Sequence, residues 1–150
     1  MQAELFKEPI AYEKIPTRIF HDPKEASKSV AHEIADLIKQ KAKESKKCVL
    51  GLATGSSPKT VYAELIRLHR EEGLSFKNVV SFNLDEYFPM EPDAIQSYWR
   101  FMKEQLFDHV DIPKENYYIP FGDIAQNKIS DFCKDYEAKI DEYGGLDFQL

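Results

Sequence analysis

Two stretches, CVLGLA at residues 48–53 and VVSFNL at residues 79–84, are apolar almost without interruption. A strand with one wet face alternates apolar and polar residues, whereas a strand covered on both sides has no need to. The segments around these runs follow a different period. Val30, Ile34, Leu37 and Ile38, with Ala31 and Ala35, fall on one helical face, as do Val61, Leu65 and Leu68, and later Ile129, Phe132, Cys133, Tyr136 and Ile140. Strand and helix alternate about four times at spacings that fit crossover units. This pattern predicts an α/β fold, a parallel sheet with helices on both faces in a Rossmann-like three-layer sandwich. LDFQL (146–150) starts another strand, so the sheet is expected to be truncated after the fourth helix.

Element ends are also legible. Asp22, Pro23 and Glu25 spell a helix start, with a capping carboxylate, a proline at the first position and an acid three after the cap. RIF (Arg18 to Phe20) reads as a short strand before it, and Ser57 with Pro58 as the opening of the second helix. A loop with Pro89 and Pro92 leads to a helix expected over Ala94 to Phe107. YYIPF (117–121) reads as a short strand, and Gly144 stops the last helix. Residues 1–17 carry two prolines and no clean period, and are read as an amino-terminal extension to a unit spanning 18–150.

Composition excludes several classes. The chain has 150 residues, 31% charged and 43% hydrophobic, with a net charge of −6 and no basic face, so nucleic acid is not an expected partner. The lysine-rich KQKAKESKK stretch (39–47) falls at a helix end, where cations suit the dipole. No run approaches a membrane span or a signal peptide. Cys48 and Cys133 lack metal-like spacing and are expected as buried free thiols in a reducing cytoplasm. His21, His32, His69 and His109 form no ligand set, so no metal site is expected. His32 and His69 read as surface or boundary residues.

In open parallel sheets ligands gather outside the carboxyl ends of the strands. Two polar clusters are expected there. Thr54, Gly55, Ser56 and Ser57, followed by Pro58, offer backbone N–H groups, hydroxyls and a helix N-terminus, which suits an anion. On spacing alone that reading and a plain cap with a turn are equally well served. Neither a GxGxxG nor a GxxxxGK pattern is present, so a nucleotide is not implied. The second cluster, FNLDEY (82–87), puts Asn83, Asp85 and Glu86 at a strand end. Adjacent residues of extended chain point opposite ways, so one of the two acids is expected to face the cleft. SYWRFM (97–102) reads as helix core, with Ser97 and Tyr98 near the helix start singled out for attention.

Taken together, LGLATGSSPKTVY, SFKNVVSFNLDEY, SYWRFM and LFDHVDIP resemble the glucosamine-6-phosphate deaminase/isomerase family, from about Arg18 to Leu150. The related 6-phosphogluconolactonases have a similar loop but usually lack the NLDEY and SYW pairing. The resemblance implies conversion of glucosamine 6-phosphate to fructose 6-phosphate and ammonia without a cofactor. A sugar-phosphate-binding module without catalysis and a lactonase-like hydrolase are the alternatives. Carried over by motif, Thr54, Gly55, Ser56 and Ser57 bind the phosphate, Asp85 is the base that moves a proton between C2 and C1, and Glu86 is a neighbouring substrate-binding candidate. The chain departs from the family at Ser56, where many members have glycine. It also ends before a Gly-rich turn bearing an acid and a histidine that the family uses for ring opening. The 150 residues alone are therefore expected not to turn over. LDFQL, left at a sheet edge, is expected to promote self-association into a homo-oligomer.

Overall fold

The computed structural model describes residues 14–150, which form four parallel strands with helices on both faces. Most of the expected amino-terminal extension lies outside the described residues. Helix α1 (Pro23–Lys43) begins where its sequence directs it. Asp22 is extended (φ −123°, ψ 127°), and its carboxylate accepts the Lys24 N–H at 2.6 Å. Strands β1 (Cys48–Leu52) and β2 (Val79–Asn83) pair in register from Cys48 with Val79 to Leu52 with Asn83. Helix α2 (Ser56–Glu72) crosses between them. Helix α3 (Tyr98–Gln105) and β3 (Tyr117–Tyr118) follow, then α4 (Ile129–Glu142) and β4 (Phe148–Gln149), giving the sheet order β3-β2-β1-β4.

Register explains the unbroken apolar runs. Cys48, Leu50 and Leu52 join the larger core, where Ile34 and Ile38 of α1 meet Tyr62, Leu65 and Leu68 of α2. Val49 turns the other way and packs with Val80 and Phe82 beneath Tyr136 and Ile140 of α4. Each strand face thus has its own helical layer. The layers are unequal, since no residue of α4 is fully buried. Aromatic contacts hold the thinner one: the Phe82 and Tyr118 rings stack 4.8 Å apart. The Tyr136 hydroxyl lies 2.9 Å from the Asn83 carbonyl and 3.0 Å from that of Tyr118, shared between the two. Burial pushes this phenol's pKa up.

Several sequence expectations are corrected. Arg18 to Phe20 is not a strand. Ile19 is 74% exposed, and Arg18 instead pairs with Glu33 of α1, so the segment lies along a helix rather than on a sheet edge. Helix α3 is shorter than Ala94 to Phe107. Ser97 is extended (φ −62°, ψ 137°) and caps it from outside, and Leu106 at φ −146° ends it before a 3-10 turn at Phe107–His109. Cys133 is exposed, not buried, because the thin α4 layer leaves that side of the helix open. At β4, Phe148 and Leu150 pack against the larger core, leaving Leu146 as the exposed apolar residue of LDFQL. Asp147 fastens this edge, accepting the Val49 N–H at 2.9 Å and pairing with Lys41 of α1.

No helix among the described residues is long and apolar enough to cross a membrane. The two thiols are expected to differ sharply in reactivity. Burial foremost, with the Asp147 carboxylate adding to it, pushes the Cys48 thiol up to about 12. In the native protein a thiol reagent near neutral pH should titrate Cys133 promptly and Cys48 only on unfolding. Two fast thiols before denaturant is added would contradict this packing.

Candidate functional site

Strands β1 and β2 end side by side. Beyond the Leu52 and Asn83 pair, the Leu84 N–H donates to the Leu52 carbonyl at 3.3 Å, the last link before the chains separate. One chain leaves through Thr54 and Gly55 into α2, the other through Asp85 and Glu86 toward α3. The two clusters therefore emerge on one rim, at the carboxyl end of the sheet.

The first arm is shaped by backbone. Gly55 caps α2 at φ 109°, ψ −172°, a region in which L side chains are strained. A Cβ built there would meet nothing within 4 Å, so it is the dihedral and not the space that calls for glycine. The helix begins at Ser56, one residue before the expected opening, and Ser57 is not its cap. No side chain caps it, and its first turn holds no acid. Pro58 has no N–H to satisfy, which leaves the amides of Ser56 and Ser57 facing the rim at the positive end of a 17-residue helix. Ser57 is thus not the cap that the plain reading of TGSSP expects, although Gly55 does make the turn. Behind the loop, the buried Tyr62 hydroxyl donates to the Ala53 carbonyl at 2.5 Å, pinning the strand end.

The two acids lie past the end of β2, and both line a groove beside α4 rather than the cleft of Thr54 and Gly55, so strand alternation does not divide them; their partners do. Asp85 is exposed. Glu86 turns inward, and its carboxylate accepts from Ser97 Oγ at 2.9 Å, the Tyr98 N–H at 2.9 Å and the Tyr87 N–H at 2.9 Å. Between the arms stands Tyr98. Its ring lies 4.9 Å from that of Tyr87. Hydrogen bonding to Tyr87 and then burial raise its pKa, a hydrogen bond with the Thr54 side chain opposes them, and the Asp85 charge adds to the rise. Tyr98 thus shares a cleft wall with one arm and feels the charge of the other.

Two hollows flank this tyrosine pair. A cleft of about 610 Å³ is lined by Thr54, Gly55, Met90, Ser97, Tyr98 and Phe101. A smaller groove of about 280 Å³, lined by Asp85, Glu86, Phe88, Phe121, Phe132 and Cys133, runs beside α4. Tyr87 forms part of both walls. Thr54 and Gly55 therefore share a cleft, Ser56 and Ser57 are exposed but do not line it, and Asp85 stands across the Tyr87 partition. Below the rim, the Asn83 amide and the Ser81 hydroxyl are buried without a hydrogen-bond partner among the described residues, an uncommon state for polar atoms.

The sequence reading flagged Tyr98 only as a residue near a helix start, and Tyr87 not at all. A lone tyrosine in a loop carries no periodic signal. Gly122 also matters here: a Cβ on it would collide with the Tyr87 carbonyl and Met90, so its lack of a side chain lets the two loops meet. Among the described residues, no group of three His, Cys, Asp or Glu is placed to hold a metal. His109 accepts from Arg70 at 3.0 Å and donates to the Glu104 carbonyl at 2.9 Å, and His69 bonds the Leu74 carbonyl at 2.6 Å.

Comparison with known proteins gives a consistent picture. The family model for glucosamine-6-phosphate isomerases/6-phosphogluconolactonase matches residues 21–150. A putative glucosamine-6-phosphate deaminase-like protein of Bacteroides thetaiotaomicron is 49% identical over 138 residues, covering 92% of this chain and 21% of that one. A glucosamine-6-phosphate deaminase of Mycoplasma mycoides is 44% identical, covering 84% of this chain and 50% of that one. The structure of a monomeric glucosamine-6-phosphate deaminase superposes with a TM-score of 0.81 at 38% identity, covering 87% of this chain and 52% of that one. A 6-phosphogluconolactonase of Thermotoga maritima, at 24% identity and a TM-score of 0.64, shares the fold. The chain spans about half the length of most of these relatives, or less.

Gly55 offers a direct check on the first arm. Gly55→Ala should cost ~1–3 kcal/mol in chemical denaturation, the strain of holding a side chain at that dihedral. An unchanged midpoint would show that the loop does not hold the conformation described.

Proposed function

Because the chain belongs to the glucosamine-6-phosphate isomerase/6-phosphogluconolactonase family, we propose that residues 18–150 carry the phosphate grip and proton-shuttling carboxylate of a glucosamine-6-phosphate deaminase. The observation that supports it most is the pairing of an uncapped α2 N-terminus with an exposed Asp85 on one rim, Tyr98 standing between them. In this reading the amides of Gly55, Ser56 and Ser57 and the Thr54 hydroxyl hold the phosphate, a handle remote from the chemistry that fixes the sugar's position. Asp85 removes the proton from C2 of the open-chain sugar and returns it at C1. The nitrogen is left as an imine at C2. Adding one water across that C=N bond yields the ketone and releases ammonia. No electrons are gained or lost overall, so no redox partner enters.

The deaminase reading is favoured over a lactonase by the 44% and 49% identities to deaminase-named relatives, whereas the lactonase likeness is one of fold.

Titration with phosphate and with glucosamine 6-phosphate, followed by amide chemical shifts, tests the grip. The largest shifts are expected at Gly55, Ser56 and Ser57. Shifts confined to another surface would overturn the assignment. The 150 residues alone are expected to bind but not to release ammonia, and steady turnover by the pure polypeptide would refute that. In a form that does turn over, Asp85→Asn should lower turnover at least ~100-fold while leaving affinity nearly unchanged. Normal turnover would reduce Asp85 to a turn residue.

A further inference from the structure

We propose that Glu86 is a positioning residue that holds Tyr98 in the wall of the cleft that Thr54 and Gly55 also line, so that the two arms of the rim keep the spacing a sugar phosphate requires. The inference builds on the functional reading above and reassigns Glu86, which by sequence stood as a candidate substrate ligand.

The hydrogen bonds of Glu86 argue for this role. Its Oε2 accepts from Ser97 Oγ at 2.9 Å, the Tyr98 N–H at 2.9 Å and the Trp99 N–H at 3.3 Å, while Oε1 accepts from the Tyr87 N–H at 2.9 Å and the Tyr98 N–H at 3.1 Å. Every one of these donors belongs to the protein. Ser97 is fully buried although it forms part of the cleft wall, so this contact of the half-buried Glu86 points into the protein. A carboxylate committed in this way has no donor to offer a phosphate and would repel it.

What the carboxylate holds is equally specific. Helix α3 has only eight residues, too few to stand by itself, and its first amides face Glu86. The charge of Glu86 also lies at the positive end of that helix. Tyr98 is the helix's first residue; it lines the 610 Å³ cleft together with Thr54 and Gly55, and its ring lies 4.9 Å from that of Tyr87. Hydrogen bonds therefore run from Glu86 to the α3 N-terminus, which carries Tyr98 into the wall of the cleft that Thr54 also lines. Glu86 sits next to Asp85 in sequence but acts on the opposite arm of the rim. Ser97 reinforces it, its side chain accepting the Trp99 N–H at 3.1 Å.

The test compares Glu86→Gln and Tyr98→Phe, singly and combined, using inorganic phosphate and glucosamine 6-phosphate as separate probes. Amide exchange at Tyr98 and Trp99 is followed in parallel, with emission from Trp99, the chain's single tryptophan, as an optical reporter. Glu86→Gln is expected to raise exchange at both amides and weaken glucosamine 6-phosphate by about 10-fold, the scale of one lost charge-assisted hydrogen bond. Phosphate affinity should fall clearly less than that for glucosamine 6-phosphate, because the Gly55, Ser56 and Ser57 amides are untouched and only the setting of Thr54 changes. Adding Tyr98→Phe should cost little more, since both changes act on the same wall of the cleft. Additive effects, or an equal loss for phosphate and sugar phosphate, would make Glu86 a ligand group and overturn the proposal. Unchanged exchange at Tyr98 and Trp99 would overturn it as well. Should Glu86→Gln not fold, Ser97→Ala removes one of the donors and must raise exchange at the same two amides. A wild-type protein that binds neither probe would refute the functional reading, whereas the exchange result, which needs no ligand, still decides whether Glu86 holds α3.

Discussion

The pairing of Leu52 with Asn83 is the constraint on which the rest depends. Because β1 and β2 run parallel and stop at the same level, the loops that follow them must leave at one end of the sheet. The α2 N-terminus and the Asp85 loop share a rim for that reason, although some thirty residues separate them in sequence. A slip of β1 by one residue would carry Leu50 and Leu52 out of the larger core and Val49 into it. The apolar packing on both faces thus enforces the register that aligns the polar loops.

Above that frame the site is held by polar contacts of a different kind. The Tyr62 hydroxyl ties down the carbonyl before Thr54, the Tyr136 hydroxyl ties down the carbonyl of Asn83, and Glu86 anchors the start of α3. Each joins a strand end to a helix, so the rim is braced from the α1–α2 layer, from the α4 layer and from α3. The braces are buried or half-buried, and the groups they leave exposed are Gly55, Ser56, Ser57 and Asp85. Such a division suits a site that must be rigid below and open above.

The two helical layers differ in depth. α1 and α2 bury whole side chains, whereas α4 leans on the sheet through Tyr136 and Ile140 with none fully covered. The 280 Å³ groove and the exposed Leu84, Phe88 and Phe121 lie on that thinner side. The same asymmetry accounts for Cys133, which follows the apolar period of its helix and yet is exposed. Periodicity says which face of a helix is apolar, but not how closely the sheet approaches it.

The central strands, the helix start at Asp22, the TGSSP loop and the Asp85 cluster were legible because each rests on local chemistry. Apolar runs, a capping carboxylate, a glycine in a left-handed turn and a strand-end acid leave marks within a few residues. What the sequence left open depended on distant partners. Arg18 to Phe20 has strand-like residues, but no neighbouring strand offers it an edge. The third helix begins at Tyr98 rather than Ala94 because Ser97 and a carboxylate 12 residues upstream cap it. Asp85 and Glu86 lie beyond β2 and line one groove, so strand alternation did not divide them; Glu86 is the acid that the α3 N-terminus engages. Short-range order came from the chain itself, while the use of Glu86, Tyr87 and Tyr98 was decided by tertiary packing, because hydrogen-bond partners far apart in sequence become neighbours only once the sheet has set its register.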